Sequence, residues 1–389
     1  MKILLINVVY EKGSTGNIVK TLFNNLNAEN ECFVIYGRGK HIKLNNIYKG
    51  SFEFESKFHH LISKFTGNMY GGMYFSTIRI ISLIKKIKPD VVNLHCLNGY
   101  FVNIYKLLKW LAKTKIKTVL TMHADFMMTG GCGYSVDCKN YLGQKCKKCK
   151  YIREFNGKFS INSTNSNFIK LEKSITSFDS NLLKITTVSP WLTERYTESP
   201  IYKKFDIKTI LNPVDEIFFK EPKVNPFNAP LNVLYVTPDI YDLTKSGWLI
   251  NDIASLRKDI HFTVVCAKDV DFKVNSDNVT YIKGGLDKNN LLNYYFFSDA
   301  TILLSKRETF SMIVAESLAC GTPVCGFKSG GPESIAIDAY SQFFEYGNIE
   351  ALASSLEKNN FNKIDIREKA RKLYGSKQIV KTYLDFYNF

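Results

Sequence analysis

No stretch of this 389-residue chain strings together the roughly 20 apolar residues that a helix needs to cross a bilayer. The opening MKILLINVVY lacks the cleavage region of a signal peptide and runs on into a loop, so it reads as a first core strand. A full G-x-G-x-x-G fingerprint is missing, which argues against a nicotinamide-dependent enzyme. Nothing matches a helix-turn-helix, an RNA-recognition sheet or a zinc finger with terminal histidines, so nucleic acid is not an expected partner. Negative charge is short as well. With 36 acidic against 52 basic residues the formal charge is +16, which calls for an acidic counterpart such as an anionic membrane surface or a phosphorylated substrate. What remains is ordinary globular material, 45% hydrophobic and 23% charged, and long enough for two domains with separate cores. A cytoplasmic location is the simplest expectation, and there the nine cysteines would be kept reduced.

Strand-like and helix-like runs alternate from the start, the pattern of a parallel α/β sheet. Lys2 to Val9, Cys32 to Tyr36, Val91 to His95, Thr118 to His123 and Lys184 to Ser189 read as strands, with helices at Ile18 to Leu26 and Ile104 to Thr114. After Asn212-Pro213 a proline-punctuated connection, Val214 to Pro230, has linker composition. The pattern then restarts with strands at Leu231 to Thr237, Phe262 to Ala267, Thr280 to Lys283, Ala300 to Ser305 and Val324 to Phe327. Helices are expected at Trp248 to Leu256, Asp287 to Phe297, Phe310 to Cys320 and Ile366 to Phe389. The expected domains are therefore 1–213 and 214–369.

The stretch Ser305 to Thr322, SKRETFSMIVAESLACGT, places Glu308 and Glu316 about a strand-to-helix turn. In open parallel sheets ligands bind at the carboxyl ends of strands, and a helix N-terminus there offers N–H groups to a phosphate. Thr309, Phe310 and Ser311 would supply those amides. Eight residues of helix rise about 12 Å, comparable to the distance from sugar to ribose in a nucleotide-diphosphate sugar. Carboxylates accept hydrogen bonds only, so they suit hydroxyl clusters at the two ends. On spacing alone, two glutamates eight apart are an ordinary solvated helix face. The whole string, continuing through Pro323 and Val324 to Gly330, Gly331 and Glu333, resembles the E-x7-E signature of retaining glycosyltransferases of the two-Rossmann-domain (GT-B) architecture. The resemblance implies two doubly wound domains facing a cleft, an acceptor-side N-terminal domain, a nucleotide-sugar-binding C-terminal domain, and a last helix, about 370–389, that packs back on the first.

Other segments fall in the order that the resemblance implies. The loop Gly13-Ser14-Thr15-Gly16 precedes a helix, where a backbone can approach a phosphate closely, and Gly16 is assigned to the donor side by the likeness. Lys245, in Leu243-Thr244-Lys245-Ser246-Gly247, resembles the family lysine whose ammonium faces the donor diphosphate and stabilises its departure without a metal. Many relatives carry an arginine just before it; here the segment reads Pro238-Asp239-Ile240-Tyr241-Asp242. His123 ends an apolar strand, and a histidine at that place in relatives lies over the donor sugar. His95 has a similar strand-end position and would help to shape the acceptor side. Ser189-Pro190 also falls in the family order.

Cys132, Cys138, Cys146 and Cys149 form C-x5-C-x7-C-x2-C in a lysine-rich loop, similar to the cysteine-rich insertion of a bacterial capsule and surface-polysaccharide subgroup. They read as a structural zinc site, reduced thiols or a facultative disulfide. No cofactor is expected to be needed for catalysis. Lys57 to Lys88 mixes aromatics and aliphatics with basic residues, which suits either an anionic membrane surface or a helix packed on the sheet with its lysines in water. The resemblance thus implies retaining transfer of a sugar, with uridine diphosphate as the carrier it favours, to a hydroxyl of a lipid-linked glycan in bacterial surface-polysaccharide synthesis, in the cytoplasm or on the inner membrane face. A nucleotide-sugar epimerase or hydrolase of the same fold and a non-catalytic basic membrane-binding protein are the alternatives.

Overall fold

A computed structural model describes residues 1–389 apart from 134, 136, 137, 148 and 359. The chain forms two compact units, one of residues 1–210 with 380–389 and one of residues 211–379.

The first unit is built on seven parallel strands among the described residues, in the order β3-β2-β1-β4-β5-β6-β7. They are β1 (Lys2–Asn7), β2 (Glu31–Tyr36), β3 (Ile47–Lys49), β4 (Val91–Leu94), β5 (Lys117–Met122), β6 (Leu183–Thr187) and β7 (Asp206–Thr209). The central strands are continuous apolar runs, as a sheet covered on both faces requires, with Ile3, Leu4, Leu5 and Ile6 fully buried. Helices α1 (Gly13–Leu26), α2 (Glu53–Thr66), α3 (Tyr74–Ile87), α4 (Ile104–Thr114), α5 (Ile152–Asn156), α6 (Thr164–Ile175) and α7 (Pro190–Glu198) connect them. The basic stretch from Lys57 is two helices. Gly67 ends α2 with φ +68°, and α3 follows after Gly71 and Gly72.

The second unit carries six parallel strands among the described residues, in the order β10-β9-β8-β11-β12-β13. They are β8 (Asn232–Thr237), β9 (His261–Cys266), β10 (Val279–Ile282), β11 (Ala300–Leu303), β12 (Val324–Phe327) and β13 (Ser341–Phe344). Helices are α8 (Leu249–Leu256), α9 (Lys288–Phe297), α10 (Met312–Ala319), α11 (Gly331–Ile335), α12 (Ile349–Ser355), α13 (Lys363–Tyr374) and α14 (Ser376–Tyr387). One core cluster joins Phe262, Val264, Ile302, Phe327 and Leu352 on one face of the sheet, and Leu234, Val265, Leu303 and Val324 are buried on the other, so both faces are covered too. Helix α14 begins in the second unit and ends in the first, where the Tyr387 hydroxyl accepts from the Asn93 side chain at 2.7 Å. Among the described residues no helix is long and apolar enough to cross a membrane.

Candidate functional site

Both sheets reverse their strand order once, between β1 and β4 in the first unit and between β8 and β11 in the second. At such a reversal the connections leave toward opposite faces and open a crevice at the strands' carboxyl ends. In the second unit β8 runs into the turn that holds Lys245, and β11 runs into the loop that holds Glu308. The Lys306 N–H donates to the Thr244 carbonyl at 2.8 Å, and the Glu308 N–H donates to the Ser329 carbonyl at 3.0 Å. The Gly331 N–H closes the set by donating to the Glu308 carbonyl at 2.9 Å. Three strand-end loops are thereby clipped together. The Lys245 ammonium donates to a Glu308 carboxylate oxygen, which also accepts from the Ser305 hydroxyl at 3.1 Å. Their side chains are 17% and 14% exposed, so the pair is shielded yet reachable.

Helix α10 starts at Met312, two residues later than the sequence pattern suggests. Ser311 stands before it with φ +76°, a left-handed conformation that breaks the helix, and it makes no side-chain cap. Thr309 and Phe310 therefore lie in the loop, and the first free helical amide after Ser311 belongs to Met312. The eight residues from Glu308 to Glu316 are only partly helical, so the rise of about 12 Å for an unbroken helix does not describe them. The Ser311 and Ser329 hydroxyl oxygens are buried with no hydrogen-bond partner among the described residues. Unmet polar groups beside an uncapped helix N-terminus suit an anionic ligand.

Gly331 is where this loop cluster is tightest. A Cβ there would meet the Thr309 carbonyl carbon at 2.2 Å, its oxygen at 2.3 Å and the Phe310 nitrogen at 2.5 Å, all backbone atoms. Gly331→Ala is accordingly expected to destabilise the protein by about 1–3 kcal/mol through displacement of the Glu308 loop. An unchanged urea midpoint would show that the loop yields freely.

Glu316 projects from α10 toward α9, where the Tyr295 hydroxyl donates to it at 3.3 Å. Burial raises its pKa to about 7, against the opposing effects of Tyr295 and the Lys288 charge, with Asp215 adding to the rise. The folded state thus holds a proton that the unfolded chain has already lost between about pH 4.5 and 7. Stability from this group is present at low pH and falls as pH rises through that window. Glu316→Gln should be more stable than the parent at pH 8 and lose the advantage near pH 4.5; thermal melts across that range measure the difference.

In the first unit the reversal point gathers other predicted residues. Gly16 lies in the first turn of α1 against the exit of β1; a Cβ there would stand 3.1 Å from Val9 Cγ2 and 3.3 Å from the Glu11 nitrogen. The Asn7 side chain accepts from the Cys96 N–H at 3.1 Å. His95, after β4, and His123, after β5, come together with Nδ1 of the first 3.1 Å from Nε2 of the second. Burial lowers both imidazoles, His95 well below the usual value with His123 adding to the shift, and His123 to about 4. Both rings are therefore neutral near pH 7, and one donates to the other.

The turn after His123 holds an ion pair that the sequence did not disclose. Asp125 is 1% exposed and accepts from Arg195 Nε at 3.2 Å and Nη2 at 2.8 Å. It also accepts from the Ser135 N–H at 2.9 Å and hydroxyl at 2.6 Å. Arg195 stacks over Trp191 at 4.7 Å. Helix α7, the turn after β5 and the cysteine loop are locked to one another by this carboxylate.

Cys132, Cys138, Cys146 and Cys149 line a common cavity of about 30 Å³, and none is in a disulfide. Burial raises the Cys146 thiol to about 12; the Gly130 N–H opposes that rise, and Cys138, Cys149 and Cys132 add to it. Among the described residues no group of three or more His, Cys, Asp or Glu side chains is placed to hold a metal ion.

Two doubly wound parallel units, each with paired loops at its reversal point, make up the GT-B fold. Residues 270–373, which include Glu308, Glu316 and Gly331, match the family model described as Glycosyl transferases group 1. The chain is 20% identical over 326 residues to the putative colanic acid biosynthesis glycosyl transferase WcaC of Escherichia coli, covering 79% of this chain and 78% of that protein. Its fold is similar to that of sucrose-phosphate synthase from Thermosynechococcus elongatus, with a TM-score of 0.67, 12% identity and coverage of 100% and 98%. It is also similar to HepE from Anabaena in complex with UDP, with a TM-score of 0.61, 14% identity and coverage of 99% of each chain. The chain is a glycosyltransferase.

Proposed function

We propose that this chain transfers a sugar, with retention of configuration, from a nucleotide-diphosphate sugar to a hydroxyl of a lipid-linked glycan in surface-polysaccharide synthesis. The observation that carries the reading is the meeting of Lys245 with Glu308 at the reversal point of the second unit, beside the uncapped N-terminus of α10. Glu308, shared at rest between Lys245 and Ser305, would turn to the donor-sugar hydroxyls, releasing the ammonium to the diphosphate. Ribose hydroxyls would add to the one donor that Tyr295 gives the Glu316 carboxylate, and so hold it ionised. The first amides of α10, with Ser311 and Ser329, would take the charge that grows on the leaving phosphate. Arg307, the neighbour of Glu308, is our substitute for the arginine missing after β8; the basic pair Lys306-Arg307 within the signature was its only sequence signal.

At a sugar hydroxyl His123, neutral near pH 7, would hydrogen-bond rather than protonate. The bond from the anomeric carbon to the phosphate oxygen breaks, the acceptor oxygen bonds to that carbon on the same face, and the departing phosphate takes the acceptor's proton. The name of WcaC supports a polysaccharide product, and the HepE complex supports uridine as the base. Work on the inner face of the cell membrane would suit a chain of charge +16. The test is product analysis of the purified chain with a panel of nucleotide sugars and a lipid extract. A new glycan that depends on the donor is expected; folded protein that yields none with any donor would overturn the proposal.

A further inference from the structure

Helix α2 is turned inside out. Its buried residues are Glu55, Ser56 and Ser63, while Phe54, Phe58, Leu61 and Phe65, at spacings of four, three and four, are 67%, 59%, 56% and 53% exposed. On the polar face Glu55 and Ser63 are engaged, while the buried Ser56 hydroxyl has no partner among the described residues. Glu55 accepts from the Phe75 and Ser76 N–H groups at 2.9 and 2.8 Å and so caps α3, and the Ser63 hydroxyl donates to the Tyr100 hydroxyl at 2.7 Å. The apolar face is left to solvent, although covering one such side chain is worth about 1.5–3 kcal/mol. A contiguous apolar stripe of this kind marks a surface that binds something apolar.

The same helix borders a cavity of mixed lining, in which Met69, Phe126 and Phe155 stand beside polar side chains. His60 and Lys64 stand on the wall of a space of about 590 Å³ within the first unit, opposite Asn98, Tyr100 and Asn156. No Asp or Glu is among its described lining residues. Lys64 forms no ion pair among the described residues, and Lys64 and Arg38 both add to the lowering of the His60 pKa that burial begins. The wall is held in place by the Asn156 amide, which donates to the Ser63 carbonyl at 2.6 Å, and by His60 stacked on Tyr100 at 4.9 Å. A basic, acid-free cavity next to an exposed apolar stripe, both built on one helix, matches a ligand with an anionic head and a long hydrocarbon chain.

We propose that α2 and this cavity bind a long-chain lipid phosphate or diphosphate, with its charged head against Lys64 and His60 and its chain along Phe58, Leu61 and Phe65. This rests on the transferase reading above, and it supplies the carrier of the acceptor glycan. The head would fix the glycan's reducing end in the first unit and leave the sugar chain free to extend. Adsorption to an anionic lipid surface is the competing outcome, and it needs the charges and the stripe but not the cavity.

The experiment is equilibrium binding to the full chain, without donor, of farnesyl diphosphate, inorganic diphosphate, farnesol, and vesicles of phosphatidylglycerol. Farnesyl diphosphate should bind at least about tenfold more tightly than inorganic diphosphate or farnesol, roughly 1.4 kcal/mol. Lys64→Ala and Leu61→Ser, both at exposed positions, should each weaken it by about tenfold or more and leave the UDP-induced thermal shift unchanged. Equal affinity for inorganic and farnesyl diphosphate, or full affinity in both variants, would overturn the site. Asn98→Asp, which places a negative charge in the cavity wall opposite α2, should weaken farnesyl diphosphate and spare vesicle binding; equal losses would show simple surface adsorption. A parent protein that binds farnesyl diphosphate but gives no UDP shift would count against the donor assignment and not against this one.

Discussion

Glu308→Ala is expected to lower kcat for sugar transfer by about 10²–10³-fold, the usual cost of removing one preorganised polar contact to a transition state. Folding should be almost untouched, because the carboxylate sits at a loop end rather than in a core and the main-chain bonds of that loop to Ser329 and Gly331 remain. The nucleotide should still bind, since Glu316 and the amides of α10 are unaltered, so a UDP-induced thermal shift should persist. Lys245→Ala should cost a similar factor. The double variant should cost much less than the product of the two, because each side chain is the other's partner in the resting site. A loss of less than about tenfold at saturating donor, or strict multiplicativity, would remove this pair from the chemistry.

The second large effect concerns stability. Asp125→Ala should destabilise the first unit by about 3–5 kcal/mol, because it strips the partner from a largely buried guanidinium and frees two Ser135 donors at the same time. Asp125→Asn keeps an acceptor of the same shape and should cost less. Hydrogen exchange is the suitable readout for a chain of two units, since protection should fall across residues 117–133 and persist in the sheet of residues 232–344. A loss below about 1 kcal/mol would mean that Arg195 finds water instead. Activity should fall as well, because the same carboxylate fixes the turn that carries His123.

The central strands were legible because burial on both faces makes them continuous apolar runs: β1, β5, β8 and β12 fall within a residue or two of where the sequence placed them. Strands β3, β7 and β13 were not. All three are short edge strands with partly exposed side chains, so no apolar run marks them. Helix α2 was hidden for a different reason. Its Ser and Glu face inward and its phenylalanines outward, so the rule that apolar residues mark the core points the wrong way. In the site, Lys245 and Glu308 are 63 residues apart, and only the strand order brings them into contact. The break at Ser311 was invisible because a serine in a left-handed conformation is imposed by the loops around it, not by its own preference. The Asp125–Arg195 lock spans 70 residues and leaves no local pattern.

The passage of α14 from the second unit into the first has a consequence for biosynthesis. The Tyr387 hydroxyl that satisfies buried Asn93 belongs to a segment translated after all of residues 211–379. At about 5–20 residues per second, the sheet around β4 must wait on the order of ten seconds for it after its own strands have been made. During that interval the second unit can finish folding on a tether, while the older unit stays one helix short, with a buried amide still wet. The second unit is therefore expected to mature before the first, and the step that completes the first is the emergence of α14.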